Sequence, residues 1–133
     1  MDKAIQELLL SKNWKNKTIL LVEDDTVTID YIKTILFETK VNIITTKDGD
    51  DAIDIIKNNP EINLILMDIK LPKTSGIEIT QKVRAINTSI PIVTQTAHAV
   101  TLNKQEVYNA GCVDIITKPF TIETLLTTIS KYL

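Results

Sequence analysis

Cysteine, glycine and long apolar runs are scarce in this chain of 133 residues. The single cysteine, Cys112, excludes a disulfide within the chain and a metal site built from cysteines, and its neighbours Gly111 and Val113 predict a small buried core residue. The three glycines lie far apart, which excludes a phosphate-cradling G-x-G-x-x-G loop. No apolar run approaches the ~20 residues of a membrane-spanning helix, so we expect no membrane insertion.

Basic clusters and targeting signals are also missing. The formal net charge is −2 and no block of Lys and Arg occurs, so we expect no direct contact with nucleic acid, because phosphate binding needs clustered cations. The apolar patch from Ile5 to Leu10 contains Gln6 and Glu7 and lacks a small-residue cleavage site, so we expect no signal peptide and a cytoplasmic location. The length suits one domain, which at this size buries roughly two-thirds of the unfolded chain's surface.

The chain does contain a regular alternation of strand-like and helix-like segments. Aliphatic and β-branched runs predict strands at 18–22, 42–46, 62–67, 92–95 and 113–117. Apolar residues at helical spacing predict helices at 26–39, 50–57, 76–86, 100–110 and 122–132. Strand then helix, five times over, predicts an α/β fold in which a parallel sheet carries helices on both faces.

The same pattern assigns side chains to helix ends and to the core. Asp50 and Ser75 are the expected N-caps of the second and third helices, and Gly111 suits the C-terminal end of the fourth. The helix residues expected to face the core are Val27, Ile32, Ile35, Leu36, Ile53, Ile56, Ile79, Val83, Ile86, Ile122, Leu125, Leu126 and Ile129.

The N-terminal residues 1–16 precede the first strand. Ile5, Leu8 and Leu9 are spaced for one face of a helix, but the polar residues after them indicate a leader or linker outside the core. Trp14 is expected to dock this segment against the first strand. The predicted organisation is therefore a leader at 1–16 and one domain at 17–133.

Polar side chains follow four of the five predicted strands. They are Glu23, Asp24 and Asp25 after the first strand, Asp68 after the third, Thr96 after the fourth and Lys118 after the fifth. Parallel strands end at one edge of the sheet, where open α/β sheets bind their ligands. Several carboxylates brought together there repel one another, so a cation, a proton or a lysine must compensate them.

The residue types in this set indicate a magnesium site that can take up a phosphoryl group. Oxygen ligands without His or Cys suit Mg²⁺, and a carboxylate beside Mg²⁺ can act as a nucleophile toward phosphorus. Thr96 and Lys118 are the candidates to hold the transferred oxygens. Each residue alone would be an ordinary loop acid, helix-start hydroxyl or surface charge, whereas the ordered combination is specific.

The chain resembles the receiver domain of two-component response regulators over about residues 17–131. The residues that carry the resemblance are LVEDD at 21–25, LMDIKLP at 66–72 with Gly76 after it, PIVTQTAHA at 91–99 and GCVDIITKPF at 111–120. The resemblance implies a flavodoxin-like, three-layer αβα sandwich whose five-stranded parallel sheet has the order 2-1-3-4-5.

The resemblance also implies a role for each site residue. Asp68 matches the phosphoacceptor, Asp24 a direct Mg²⁺ ligand and Glu23 a water-mediated one. The backbone carbonyl of Lys70 matches a third ligand. Thr96 matches the switch hydroxyl, and Lys118 matches the lysine that pairs with the phosphoryl group.

Further expectations come from the local sequence motifs, which most resemble those of receiver domains fused to hybrid histidine kinases. The implied function is that of a phosphorelay module, regulatory rather than enzymatic, which takes its phosphoryl group from a histidine kinase or a histidine phosphotransfer protein. The resemblance leaves room for a weak homodimer. Ile115 departs from the family, because it stands where many members carry a switching Tyr or Phe. Lys70 and His98 occupy the two positions thought to tune the lifetime of the phosphoryl group.

Three other interpretations compete with this one, and each of the first two needs a feature that the sequence lacks. A phosphatase of the haloacid dehalogenase type would need a second Asp two residues after Asp68, where this chain has Lys70. A flavin or nucleotide binder would need a phosphate-cradling loop. A pseudo-receiver would be a protein-interaction module with this fold and no phosphotransfer.

Overall fold

Among the described residues, five short runs rich in aliphatic and β-branched side chains form the strands of one sheet, as expected for strands that helices cover on both faces. The computed structural model describes residues 2–97 and 101–133. Its strands are β1 (Thr18–Val22), β2 (Asn42–Thr46), β3 (Leu64–Asp68), β4 (Ile92–Thr96) and β5 (Asp114–Thr117). All pairings are parallel and the order is β2-β1-β3-β4-β5, which confirms the predicted fold class and topology.

In the part of the chain that the structure describes, six α-helices cover the two faces of this sheet. They are α1 (Lys3–Ser11), α2 (Thr26–Leu36), α3 (Gly49–Asn58), α4 (Gly76–Ile86), α5 (Lys104–Ala110) and α6 (Ile122–Ser130). A 3₁₀ turn, Phe37–Thr39, extends α2. Within the described ranges, none of these helices combines the length and apolar character that crossing a membrane requires.

Two apolar cores lie on opposite faces of the sheet, since successive strand residues point to opposite sides. The first core joins α1, α2 and α6 to the sheet and contains Leu21, Leu66, Val93 and Ile116. The second core joins α3, α4 and α5 to the other face and also contains Cys112. Cys112 is 6% exposed, as expected for a small core residue.

Some predicted core positions and caps are wrong. Val27 is 76% exposed because it lies in the first turn of α2, on the side away from the sheet, and Ile29 is buried in its place. Ile86 is 46% exposed because α4 ends there and no further turn covers it. The N-cap of α3 is Asp48, whose side chain accepts a hydrogen bond from the backbone N–H of Asp50 at 2.8 Å.

Several strands and helices also begin at residues other than the predicted ones. β3 begins at Leu64, since the preceding residues turn into the strand, and β5 begins at Asp114. The helix expected from residue 100 begins at Lys104, and residue 100 itself lies outside the described residues. The predicted N-cap Ser75 is confirmed, as its hydroxyl accepts the N–H of Ile77. Gly111 ends α5 as expected, with a φ of +122°.

The N-terminal segment packs on the domain more closely than the sequence predicts. Leu9 is 1% exposed and Trp14 is 8% exposed, and both belong to the first core. The backbone N–H of Trp14 donates to the carbonyl oxygen of Thr39 at 2.8 Å. The expectation that residues 1–16 lie outside the core is therefore wrong at Leu9, whereas the burial of Trp14 agrees with its predicted docking on the domain. The domain boundary at residue 17 stays a prediction.

Candidate functional site

The carboxyl ends of β1, β3, β4 and β5 meet at one edge of the sheet. The register aligns Val22 with Met67 and Asp68 with Gln95, so the residues that follow β1 and end β3 and β4 lie side by side. Strand order reverses between β1 and β3, and this switch point opens a crevice at the edge. The sequence placed its candidate residues at this edge.

Three carboxylates meet in the crevice. One carboxylate oxygen each from Glu23, Asp24 and Asp68 lies within 4.8 Å of the other two. Glu23 is fully buried, Asp68 is 7% exposed and Asp24 faces solvent. Charges of one sign at this spacing repel, and the burial of two of them strengthens the effect.

Lys118 compensates part of this negative charge. Its Nζ lies 2.9 Å from Oε2 of Glu23 and 3.5 Å from Oδ2 of Asp68. The backbone holds the lysine here, because its N–H donates to the carbonyl oxygen of Thr96 at 2.7 Å. Burial raises the pKa of Glu23 to about 7; the hydrogen bond from Lys118 opposes the rise and the charge of Asp68 adds to it.

Asp25, which the sequence grouped with these acids, has a different role. Its carboxylate caps α2, where Oδ1 accepts the N–H of Val27 at 3.3 Å and Oδ2 accepts the hydroxyl of Thr28 at 2.6 Å. The hydrogen bond from Thr28 is the main cause that lowers the pKa of Asp25. Adjacent acids in the sequence are thus divided between a helix cap and the carboxylate cluster.

The loop after β3 turns back against Asp68. The backbone N–H of Lys70 faces Oδ1 of Asp68 at 3.4 Å, and Lys70 forms an isolated antiparallel bridge with Ser75. Gly76 donates its N–H to the carbonyl oxygen of Ile69 at 2.7 Å, and a Cβ at Gly76 would collide with the backbone carbonyl of Asp68. This close approach explains why glycine follows the LMDIKLP motif.

The remaining predicted residues take different places. Thr96 ends β4 and is 2% exposed. Ile115 is half-buried and packs against the second core, and it pairs with Thr94, two register steps before the pair formed by Thr96 and Thr117. The Lys70 side chain is exposed. His98 lies outside the described residues.

Gln95 was not predicted as a candidate site residue, although it lies beside Asp68 in the sheet. It is 2% exposed, and its Nε2 is a buried donor without a hydrogen-bond partner among the described residues. The available signal was one amide in an otherwise aliphatic and threonine-containing strand. That signal alone did not distinguish a site residue from a strand residue.

The donor set fits a magnesium ion. Glu23, Asp24 and Asp68 offer hard carboxylate oxygens, and Mg²⁺ binds through a few carboxylates together with water. The cluster also needs positive charge beyond that of Lys118, because two of its three acids are buried. The residues present therefore suit the cation that the sequence predicts.

Several known signalling proteins have sequences that are similar to this chain. The hybrid signal transduction histidine kinase I of Dictyostelium discoideum is 35% identical over 127 residues, which cover 86% of this chain and 7% of the kinase. The polar-differentiation response regulator DivK of Brucella anthropi is 29% identical over 119 residues, covering 88% of this chain and 96% of DivK. The chain thus spans a small part of one relative and nearly all of the other.

A solved structure is also similar to this chain. The receiver domain of the sensor histidine kinase PA1611 from Pseudomonas aeruginosa has a magnesium ion coordinated in its active-site cleft. It matches this chain with a TM-score of 0.81 and 28% identity, covering 88% of this chain and 97% of that domain. Residues 19–130 match the response regulator receiver domain, and the chain belongs to that family.

Proposed function

We propose that this receiver domain accepts a phosphoryl group on Asp68, in a Mg²⁺-dependent reaction, from the phosphohistidine of a histidine kinase or a histidine phosphotransfer protein. The observation that carries the proposal is the cluster of three carboxylates within 4.8 Å, with Lys118 beside it. A structural ion pair would need one acid for one lysine. An excess of acids around a nearly buried Asp68 suits a cation and a transferred phosphoryl group.

In the transfer step, a lone pair on a carboxylate oxygen of Asp68 forms a bond to phosphorus. The bond between phosphorus and the donor's imidazole nitrogen breaks, and its electron pair remains on that nitrogen, which takes up a proton from water. The product is an acyl phosphate on Asp68 and a free histidine on the donor. Later hydrolysis returns the carboxylate and releases inorganic phosphate.

The chain's own residues divide the work of binding and charge compensation. Glu23, Asp24 and the backbone carbonyl of Lys70 are the proposed Mg²⁺ ligands beside Asp68. Bound Mg²⁺ would neutralise charge that develops on the phosphoryl oxygens. The ammonium of Lys118 is already within 3.5 Å of Asp68 and needs only a small shift to reach those oxygens. Thr96 would supply its hydroxyl from the end of β4.

A surface for the donor lies next to the cluster. A cleft of about 310 Å³ between α2 and the segment after β5 is lined by apolar groups that include Val27, Tyr31 and Phe120, and it reaches Lys118. Val27 is 76% exposed and Tyr31 is 41% exposed, so the site adjoins apolar surface that a protein partner could cover. This surface favours a protein donor over a small phosphodonor as the natural source.

The test is intact mass after incubation with acetyl phosphate, with Mg²⁺ or with EDTA. We expect one added phosphoryl group, present with Mg²⁺ and absent both in EDTA and in Asp68→Asn. Purified histidine phosphotransfer proteins then serve as donors in the same assay. Labelling of Asp68→Asn, or equal labelling in EDTA, would refute the proposal, and no labelling from any donor would favour a pseudo-receiver.

We further propose that Lys70 and His98 prolong the life of the phosphoryl group. Neither side chain carries a carboxylate or a carboxamide that could orient water for in-line attack, and both are long enough to shield phosphorus. Lys70→Asn and His98→Ala should therefore release phosphate faster than the parent. Phosphate release from the phosphorylated protein measures this, and equal or slower release would show that these side chains do not guard the site.

The switch is proposed to run through Thr96 without an aromatic partner at position 115. Ile115 has no hydroxyl and already packs on the second core, so its side chain is expected to stay in place when Asp68 is phosphorylated. Thr96 is the buried residue at the strand end that can follow the phosphoryl oxygens. On this account the loop after β4 transmits the change to the partner surface.

A further inference from the structure

Gln95 is a buried amide whose donor is unused in the described parts of the chain. The residue is 2% exposed, and its Nε2 has no hydrogen-bond acceptor within residues 2–97 and 101–133. Buried polar groups are nearly always paired, because an unpaired donor loses its hydration without compensation. An exception in a central strand calls for a specific explanation.

The sheet register places this amide in the same row as the carboxylates. Asp68 on β3 pairs with Gln95 on β4, and Gln95 pairs with Ile116 on β5. Side chains two residues apart share a face, so Asp68 shares the face of Leu66, and Gln95 shares that of Val93. Leu66, Val93 and Ile116 all belong to the first core, so Asp68 and Gln95 lie on that face.

Lys118 must cross β4 to reach its partners. It follows β5, whereas Glu23 follows β1 and Asp68 ends β3, and β4 lies between β5 and β3. Its Nζ nevertheless lies 2.9 Å from Glu23 and 3.5 Å from Asp68. Because Lys118 follows Thr117, the partner of Thr96, its side chain crosses β4 at the carboxyl end of that strand, next to the residue that follows Gln95. Gln95 thus lies directly beside Asp68 in the register and one residue before the end of β4.

We infer that Gln95 is a further phosphoryl-binding residue of this site, whose amide N–H becomes a donor to a phosphoryl oxygen once Asp68 carries the group. This inference rests on the proposed function. A phosphoryl group brings three more acceptor oxygens to Asp68, and one strand spacing is within reach of a glutamine side chain. The donor, which has no partner among the described residues of the free protein, would then gain a charge-assisted one.

This arrangement makes two predictions of opposite sign. Removing the amide should not destabilise the free protein, because an unpaired buried donor contributes nothing to it. The same change should weaken the loaded state, where the donor is used. A residue that serves only packing would affect both states alike.

The experiment compares the parent with Gln95→Met, which keeps the unbranched shape and the volume without any N–H. Beryllofluoride with Mg²⁺ serves as the phosphoryl mimic, and its Kd is measured by calorimetry. We expect the Kd to rise about tenfold or more, the effect of one hydrogen bond to a charged group. Unfolding of the free protein should be unchanged or shifted to higher temperature, and the Kd for Mg²⁺ alone should stay the same.

Thr94→Val is the matched control, since Thr94 is also a buried polar residue of β4 but points to the opposite face, and it should leave the Kd unchanged. Gln95→Glu keeps the shape, lacks the N–H and adds negative charge, so it should bind beryllofluoride more weakly than Gln95→Met. An unaltered Kd in Gln95→Met would overturn the inference, as would failure of both variants to fold. If the parent itself neither binds beryllofluoride nor labels Asp68, the proposed function fails and the inference fails with it.

Discussion

The lack of a side chain at Gly76 controls the geometry around Asp68, the proposed phosphoacceptor. The Cα of Gly76 lies so close to Asp68 that a Cβ would strike the carbonyl of that residue. Gly76→Ala should therefore move the loop or the end of β3 and lower the free energy of unfolding by about 1–3 kcal/mol, the cost of overpacking. Urea unfolding measures the loss.

The neighbouring cap provides the control for this prediction. Ser75→Ala removes the hydroxyl that accepts the N–H of Ile77, which costs about 1 kcal/mol, but it leaves the path of the loop intact. We expect Ser75→Ala to label Asp68 at the parent's rate and Gly76→Ala to label it more slowly. Parent-like stability and labelling in Gly76→Ala would contradict this account of the glycine.

The meeting of four candidate site residues was predictable, because the order of the strands alone determines it. Glu23, Asp24, Asp68 and Lys118 each follow or end a readable strand, so the parallel sheet brings them to one edge. Gln95 was not predictable in the same way, because its significance depends on an unused donor, which only the packed structure reveals. The role of Asp25 as the cap of α2 was not predicted for a related reason. Its hydrogen bonds to α2 cannot be recognised from a sequence of three consecutive acids.

Among the elements, α1 adds apolar contacts that extend the first core. Leu9 is 1% exposed and Leu10, the next residue of the same helix, is 61% exposed. Leu9→Ala should cost about 2–4 kcal/mol through lost burial and a residual cavity. Leu10→Ala should change stability by less than about 0.5 kcal/mol, as is usual for surface sites. Urea midpoints of the two variants test this, and similar values would show that α1 does not pack as described.

A hydrogen bond ties the end of the chain to β5. The hydroxyl of Tyr132 donates to Oδ2 of Asp114 at 3.0 Å, and burial, followed by this bond, raises the pKa of Tyr132 from 10.0 to about 12. The folded protein thus favours the protonated phenol. Its stabilising contribution is complete below pH 10.0 and is lost as the pH rises through about 12.

The variant Tyr132→Phe tests this linkage. It should lose about 1 kcal/mol of stability at pH 8, where the hydrogen bond is intact in the parent. Between pH 10.0 and about 12 the parent should lose more stability than the variant, because only the parent gains the ionised phenol on unfolding. Urea unfolding at both ends of this range gives the difference, and parallel curves for the two proteins would contradict the assignment.

Helices and strands were predictable from apolar spacing, whereas their ends were less so. The strands β1 and β2 begin and end as predicted, since aliphatic and β-branched runs define them. The burial of Val27 and Ile86 was predicted incorrectly, because spacing does not show where a helix leaves the sheet it packs on. The docking of α1 was underestimated because its short apolar patch is adjacent to polar residues that indicate a linker.

At the scale of the whole molecule, the sheet collects negative charge at one edge and leaves it partly compensated. Mg²⁺ binding to the folded state should therefore stabilise the entire domain, by about 2.7 kcal/mol at one hundred times the Kd. The unfolded chain gains little, because only the fold brings Glu23, Asp24 and Asp68 together. The urea midpoint should rise with millimolar Mg²⁺ and return to its starting value in EDTA.

Substitutions of two adjacent acids, Asp24 and Asp25, distinguish metal binding from general effects of charge. Asp24→Ala should abolish the rise, since it removes the exposed member of the cluster, and it should leave the metal-free protein as stable as before or more so, because a repulsion is removed. Asp25→Ala should destabilise the domain by about 1 kcal/mol through the lost cap of α2 but retain the full response to Mg²⁺. A urea midpoint that does not move with Mg²⁺ in the parent, or an equal response in Asp24→Ala, would rule out a magnesium site at this edge of the sheet.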